Sequence, residues 1–107
     1  MIEKYYNEKG EVAILYSPDF GAGWYTWNTS LENSKELLFD KTLVEYVLEK
    51  DYEKAADYAE GRWPSIYTGG LFQLEVMFLP EGTPFQVTEY DGCEDIEICE
   101  HVDWIIA

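Results

Sequence analysis

The C-terminal part of the chain alternates apolar and polar residues, and a period of two predicts β-strands. Three segments alternate in this way, with apolar positions at Phe72, Leu74, Val76 and Phe78, at Phe85 and Val87, and at Ile96 and Ile98. Glu75, Glu97 and Glu89 are expected on exposed positions of these strands or at their edges, and Asp95 shares the face of Glu97. Asp91-Gly92 is a strong hairpin signal between the last two segments. The pattern therefore predicts an antiparallel meander.

The N-terminal part combines one buried strand with two helices. Residues 11–17 (EVAILYS) form an apolar run rich in strand-forming residues. Two helices are predicted. Asp40 caps the first, whose apolar stripe consists of Leu43, Val44, Val47 and Leu48. Asp51 caps the second, which ends at Gly61 and has Tyr52, Ala55, Ala56 and Ala59 on one side. The expected fold class is α+β, a small single domain over residues 1–107 with an antiparallel β-sheet and two helices packed on one face.

Composition predicts a folded protein. The chain has 107 residues, of which 47% are hydrophobic and 17% aromatic, so disorder is not expected despite the charge. It carries no N-terminal apolar run of signal-peptide length and no stretch long enough to span a bilayer. We therefore expect a soluble protein of the cytoplasm.

Charge is the most unusual property of the chain. Seven basic residues face 22 acidic ones, for a net charge of −15, and residues 63–107 contain nine carboxylates and neither lysine nor arginine. Lys and Arg supply most of the affinity of proteins for phosphate backbones, so direct binding of nucleic acid or of anionic membrane is not expected. Unbalanced charge destabilises a compact domain, which favours a use for it in binding a basic partner.

The candidate partner-binding residues all lie on the predicted C-terminal strands and their turn. They are Glu75, Glu89, Asp91, Glu94, Asp95 and Glu97. Charged residues on strands also protect sheet edges from aggregation, and that role is an alternative reading of the same residues. A third possibility is that these carboxylates serve only to keep the protein soluble.

No metal site, cofactor or catalytic group is expected. Cys93, Cys99 and His101 form the only cluster of soft ligands, but the spacing of the two cysteines and the number of ligands do not match a zinc site. Acidic surroundings oppose the thiolate that cysteine catalysis needs. The carboxylates between residues 91 and 97 do not match an EF-hand loop. We therefore expect two free thiols and no enzymatic activity.

A glycine-rich loop with aromatic residues follows the buried strand and is the candidate ligand pocket. Its candidate residues are Phe20, Gly21, Gly23, Trp24 and Trp27. Backbone N–H groups of such a loop can hold an anion, but the lysine of a P-loop and the third glycine of a dinucleotide fingerprint are missing. The aromatic rings can stack on a planar ligand or can complete a core, and the core is the commoner use. The second glycine turn at Gly69 and Gly70 would define a pocket if it lay beside this loop.

Four segments resemble a group of small acidic proteins of unassigned function from tailed bacteriophages and prophages. They are VAILYSPDFGAGWYTWN at residues 12–28, LLFD at 37–40, YTGG at 67–70 and EGTPFQVTEYDG at 81–92. The resemblance implies a phage accessory protein acting in the bacterial host cytoplasm, and it supplies no catalytic residues. Proteins of this kind often block host proteins, including defence nucleases.

Two functional hypotheses follow. The first is an acidic binding protein that inhibits a basic host protein, such as a defence factor or a nucleic-acid-binding protein, with carboxylates in place of phosphates. The second is a small-molecule binder that sequesters a nucleotide-type signal in the glycine-rich loop. The oligomeric state does not follow from the sequence.

Overall fold

The computed structural model describes residues 3–98 and 105–107, and its α+β class confirms the prediction. The strands are β1 (Glu11–Tyr16), β2 (Glu75–Pro80), β3 (Pro84–Tyr90), β4 (Cys93–Ile98) and β5 (Ile105–Ile106). The helices are α1 (Glu36–Phe39), α2 (Lys41–Leu48) and α3 (Tyr52–Arg62), with two 3-10 turns at Tyr25–Trp27 and Leu71–Gln73.

The strands form two antiparallel sheets instead of the single predicted one. In the first, β1 pairs with β2, and in the second, β3 lies between β4 and β5. The predicted meander is wrong where it pairs β2 with β3, because β2 takes β1 as its partner. Pro80 and Pro84 flank the connection between β2 and β3, and neither has an N–H to donate to a tight ladder there. The turn is closed by Thr83, whose N–H donates to Pro80 O at 3.1 Å, and Ala107 O also accepts the N–H of Gly82 at 2.8 Å.

Strand β1 is buried on both faces, which explains its continuous apolar run. Val12 and Ile14 belong to one hydrophobic cluster, together with Phe85 of the second sheet. Ala13 and Leu15 belong to the other cluster, which contains the apolar faces of α2 and α3. The β1–β2 sheet therefore has α2 and α3 on one face and the second sheet on the other, with Leu38 and Phe39 of α1 also on the side of the second sheet. In a strand that is buried on both faces, the side chains on each face are apolar, so apolar and polar residues do not alternate along it.

Both predicted helix caps are confirmed, whereas the predicted helix end is wrong. Asp40 Oδ1 accepts the N–H of Leu43 at 3.0 Å, and Asp51 Oδ1 accepts that of Lys54 at 3.2 Å. Helix α3 runs through Gly61 to Arg62, and Trp63 N–H still donates to Ala59 O at 2.8 Å. The added turn carries Trp63 into the core, where its ring meets that of Trp24 edge-on at 6.5 Å.

Three residues predicted to face the core are exposed. Phe72 lies in a 3-10 turn before β2 and is 58% exposed, because the strand begins only at Glu75. Ile98 is the last residue of β4 and is 59% exposed, since no described element covers that end of its face. Leu48 closes α2 and is also exposed.

A hydrogen bond between Tyr58 and Asp40 joins α3 to the start of α2. The Tyr58 hydroxyl donates to Asp40 Oδ2 at 2.8 Å, while the other oxygen of the same carboxylate caps α2. Burial, and then this hydrogen bond, raise the pKa of Tyr58 to about 12.

We expect Tyr58→Phe to lower the free energy of unfolding by about 1 kcal/mol at pH 7, because Asp40 loses a hydrogen-bond donor. Since the folded-state pKa of Tyr58 is raised from 10.0 to about 12, the contribution of its hydroxyl is complete below pH 10 and is lost as the pH rises to 12. Urea unfolding of both proteins across this range should show their difference in stability shrinking. A difference that stays constant to pH 12 would contradict this account.

Candidate functional site

The β3–β4 hairpin has an outer face and an inner face, and the register of its strands decides which residues share each. The outer face carries the pairs Gln86–Glu97, Thr88–Asp95 and Tyr90–Cys93. The inner face carries Phe85–Ile98, Val87–Ile96 and Glu89–Glu94. At the turn, Asp91 and Gly92 both have positive φ angles, 50° and 86°, which confirms the predicted two-residue hairpin. The predicted partner-binding residues are thereby divided between the two faces and the turn.

The outer face presents negative charge that no described cation balances. We call Gln86, Thr88, Tyr90, Asp95 and Glu97 the acidic face. Asp95 and Glu97 are exposed. The ion pairs between described residues are Lys41–Glu3, Lys54–Asp51 and Arg62–Glu36, all in the first 62 residues. The acidic face thus carries two of the nine carboxylates of residues 63–107, and neither is in an ion pair between described residues.

Glu75 extends the acidic face from the other sheet. It lies opposite Tyr16 in the β1–β2 register and is exposed. The pKa of Tyr16 is raised, first by burial and then by the charges of Glu75 and Asp95. Both carboxylates are thus close enough to Tyr16 to disfavour its ionisation, so Glu75 and Asp95 lie on the same side of the molecule as the Tyr16 ring.

Glu94 does not belong to the acidic face, and its assignment to partner binding is corrected. Its side chain is on the inner face and only 2% exposed. One carboxylate oxygen accepts Ser17 N–H at 2.9 Å. The other accepts Trp24 N–H at 2.9 Å, Thr26 N–H at 2.8 Å and Thr26 Oγ1–H at 2.7 Å. A carboxylate so enclosed cannot touch a partner.

The role of Glu94 is to hold the glycine-rich loop on the hairpin. All four of its partners are donors, which an ionised carboxylate, being an acceptor only, can satisfy. The Glu94 backbone N–H also donates to Ser17 O at 2.7 Å, which ties β4 to the end of β1. The sequence indicated the burial of Glu94. Glu94 and Ile96 are two residues apart and therefore lie on the same face of the strand, and that face is turned to the core.

Glu89 and Asp91 are exposed but lie at the turn end of the hairpin, off the acidic face. Glu89 Oε2 accepts Gly92 N–H at 2.7 Å and Trp27 Nε1–H at 3.3 Å. The Asp91 carbonyl accepts Gly21 N–H at 2.7 Å. The Glu89 carboxylate and the Asp91 carbonyl thus stabilise the turn and its contact with the glycine-rich loop.

The five residues of the predicted ligand pocket do not surround a common space. Trp24 is fully buried, and its Nε1–H donates to Leu37 O at 2.8 Å. Gly23 is buried too, with Trp27 so close that an added Cβ would lie 2.7 Å from its ring. Phe20 is exposed against Tyr90, and Gly21 is exposed beside it at the hairpin turn.

The two glycine turns are adjacent, but their backbones touch. A Cβ on Gly70 would lie 2.6 Å from Gly23 O, so the two loops leave no room for a ligand at this point. Asn28 joins them, because its side chain donates to Tyr67 O at 3.0 Å and accepts Tyr67 N–H at 2.8 Å. Beside this junction the rings of Trp27 and Tyr67 pack against each other, with 5.5 Å between their centroids and 30° between their planes. The aromatic residues of the loop therefore serve mainly its packing.

A polar depression of about 210 Å³ lies near the start of α2, and its charges are compensated internally. Arg62 pairs with Glu36 at 2.9 Å and Lys41 with Glu3 at 3.7 Å. The Tyr58 hydroxyl is already committed to Asp40. This depression differs from the acidic face, where no described cation is in place.

Residues 3–98 and 105–107 contain no group of three His, Cys, Asp or Glu side chains arranged to hold a metal ion. Cys93 is a free thiol that donates to Pro18 O at 2.9 Å, while Cys99 and His101 of the predicted cluster lie outside the described residues.

None of the described helices is long and apolar enough to cross a membrane. In comparisons with known proteins, no protein-family model, curated protein or solved structure matches this chain, so function must be inferred from its own residues.

We expect Glu94→Gln to lower the free energy of unfolding by about 2–4 kcal/mol, because the amide NH2 would face N–H donors and leave some of them buried without an acceptor. The matched control is Glu97→Gln, which removes the same charge from an exposed position of the same strand and should change stability by less than about 0.5 kcal/mol. Urea unfolding followed by tryptophan fluorescence measures both. Equal stability of the two variants would show that Glu94 does not hold the loop.

Proposed function

We propose that this protein binds a basic surface of another protein through the acidic face and Glu75. The observation that carries the proposal is the exposure of Glu75, Asp95 and Glu97 in a region without a described cation to balance them. Like charges placed together weaken a fold, and a basic partner relieves that repulsion on binding. Such complementarity speeds association and suppresses wrong partners.

The partner surface that fits this chemistry best is one that binds nucleic acid. Clusters of Lys and Arg on such surfaces neutralise phosphates, and carboxylates can occupy the same groups. The protein would then act as an inhibitor by competition, without enzymatic activity of its own. In its narrower form the proposal is a phage protein that blocks a defence or nucleic-acid-binding protein in the bacterial host cytoplasm, which rests on the resemblance of residues 12–92.

One of these carboxylates also has a structural task. Asp95 Oδ1 accepts the backbone N–H of the next residue, Ile96, at 2.9 Å, which covers a donor on the edge strand β4. Edge protection therefore accounts for Asp95 in part. The side chains of Glu75 and Glu97 accept no hydrogen bond from a described residue and form no ion pair with one, and binding gives these two residues a role. The alternative function, sequestration of a nucleotide in the glycine-rich loop, is less well supported because Trp24 and Gly23 are buried.

We expect Glu75→Lys/Glu97→Lys to abolish capture of a basic, nucleic-acid-binding protein from bacterial lysate. The change reverses two exposed charges and leaves the Asp95–Ile96 hydrogen bond in place. The measurement is affinity capture on the immobilised protein, with mass spectrometry of what elutes at rising salt. Wild-type capture should weaken with salt and should be displaced by duplex DNA.

The matched control is Glu45→Lys/Glu60→Lys, which has the same net charge but places the reversals on exposed positions of α2 and α3. It should retain the partner, because the acidic face is untouched. Equal loss in both variants would mean that net charge alone is responsible, and capture that persists in both would count against the acidic face.

A further inference from the structure

Tyr90 is the most exposed large apolar side chain of the described residues, at 77%. It stands on the acidic face beside Phe20, which is 63% exposed and meets it edge-on at 6.3 Å. The loop that carries Phe20 is held there by two hydrogen bonds, from Gly21 N–H to Asp91 O and from Cys93 Sγ to Pro18 O. The two rings are therefore presented to solvent on a supported surface.

The carboxylates of the acidic face lie within reach of these rings. Tyr90 is paired with Cys93, and Asp95 is the next residue along β4 on the same face. Diagonal neighbours of this kind are about 7–8 Å apart, a gap that long side chains span. Glu97 follows two residues later, so the face presents an aromatic ring and then two negative charges in a row.

We propose that the acidic face, with Tyr90 and Phe20, recognises arginine side chains of the partner in preference to lysine, which refines the proposed function and rests on it. A guanidinium group is planar and weakly hydrated, so it can stack on Tyr90 while its N–H groups contact a carboxylate. A lysine ammonium is a strongly hydrated point charge and gains mainly the electrostatic attraction. Complementarity of both shape and charge thus selects a surface or peptide rich in arginine.

The partner uses the face of the hairpin and not its edge. Strand addition to β4 would need its outward N–H groups, yet Glu94 N–H is bonded to Ser17 O and Ile96 N–H to Asp95 Oδ1. Side chains of the partner, and not its backbone, must therefore supply the contacts.

The test compares two labelled peptides of equal charge, deca-arginine and deca-lysine, by fluorescence anisotropy near physiological salt. Wild-type protein should bind deca-arginine at least roughly fivefold more tightly than Tyr90→Leu does, while Tyr90→Phe keeps the wild-type affinity because the ring is retained. Affinity for deca-lysine should differ little among these three proteins. Tyr67→Leu serves as the matched control, since it removes another exposed tyrosine, whose ring stacks on Trp27 outside the acidic face.

The outcomes separate this inference from the function on which it rests. If Tyr90→Leu binds deca-arginine as tightly as wild type, or if it weakens both peptides alike, guanidinium recognition is wrong. If the peptides show no arginine preference but Glu75→Lys/Glu97→Lys still loses its basic partner from lysate, the proposed function survives without this refinement. If neither peptide binds and no basic protein is captured, both proposals fail.

Discussion

One buried carboxylate, that of Glu94, joins the glycine-rich loop to the β3–β4 hairpin. Glu94 accepts hydrogen bonds from Ser17, Trp24 and Thr26. These donors span the whole glycine-rich loop, so a single side chain fixes the path of ten residues against the hairpin. A buried charge is tolerated only when its hydrogen bonds are satisfied, and here four donors satisfy it. The positions of Trp24 in the core and of Phe20 at the surface both depend on that arrangement.

Strand β4 carries both a buried carboxylate with a structural role and carboxylates that are exposed to solvent. Successive residues of β4 point to opposite faces, so Glu94 is enclosed while its neighbour Asp95 is exposed. Glu89 is committed to the turn, whereas Glu75 and Glu97 have no described partner. A charge count over residues 63–107 treats these carboxylates as equivalent. Among the described residues, only part of that charge is exposed and free of hydrogen bonds within the protein.

Most local signals were read correctly, whereas the helix end at Gly61 and the long-range strand pairing were not. The caps at Asp40 and Asp51 and the hairpin at Asp91-Gly92 depend on residues within a few positions of one another, and all three are confirmed. The pairing of β2 with β1 brings together residues 59 to 69 positions apart, and no local pattern encodes it. For the candidate site, the sequence identified the acidic strands, but it assigned Glu94 to the surface and Phe20 to a pocket. The burial of Trp24 agrees with core packing, which was the commoner use expected of the loop aromatics.

Composition and periodicity were enough to establish an α+β chain with an unbalanced negative charge and a hairpin rich in carboxylates, because these properties are additive or local. Tertiary structure alone decided which carboxylates are free, since burial depends on what packs against each face. It also decided that the aromatic loop is filled by its own side chains and that Phe20 of this loop lies against Tyr90 of the hairpin. Those relations arise from contacts between distant segments, among them the hydrogen bonds of Glu94 to Ser17, Trp24 and Thr26 and that of Gly21 to Asp91.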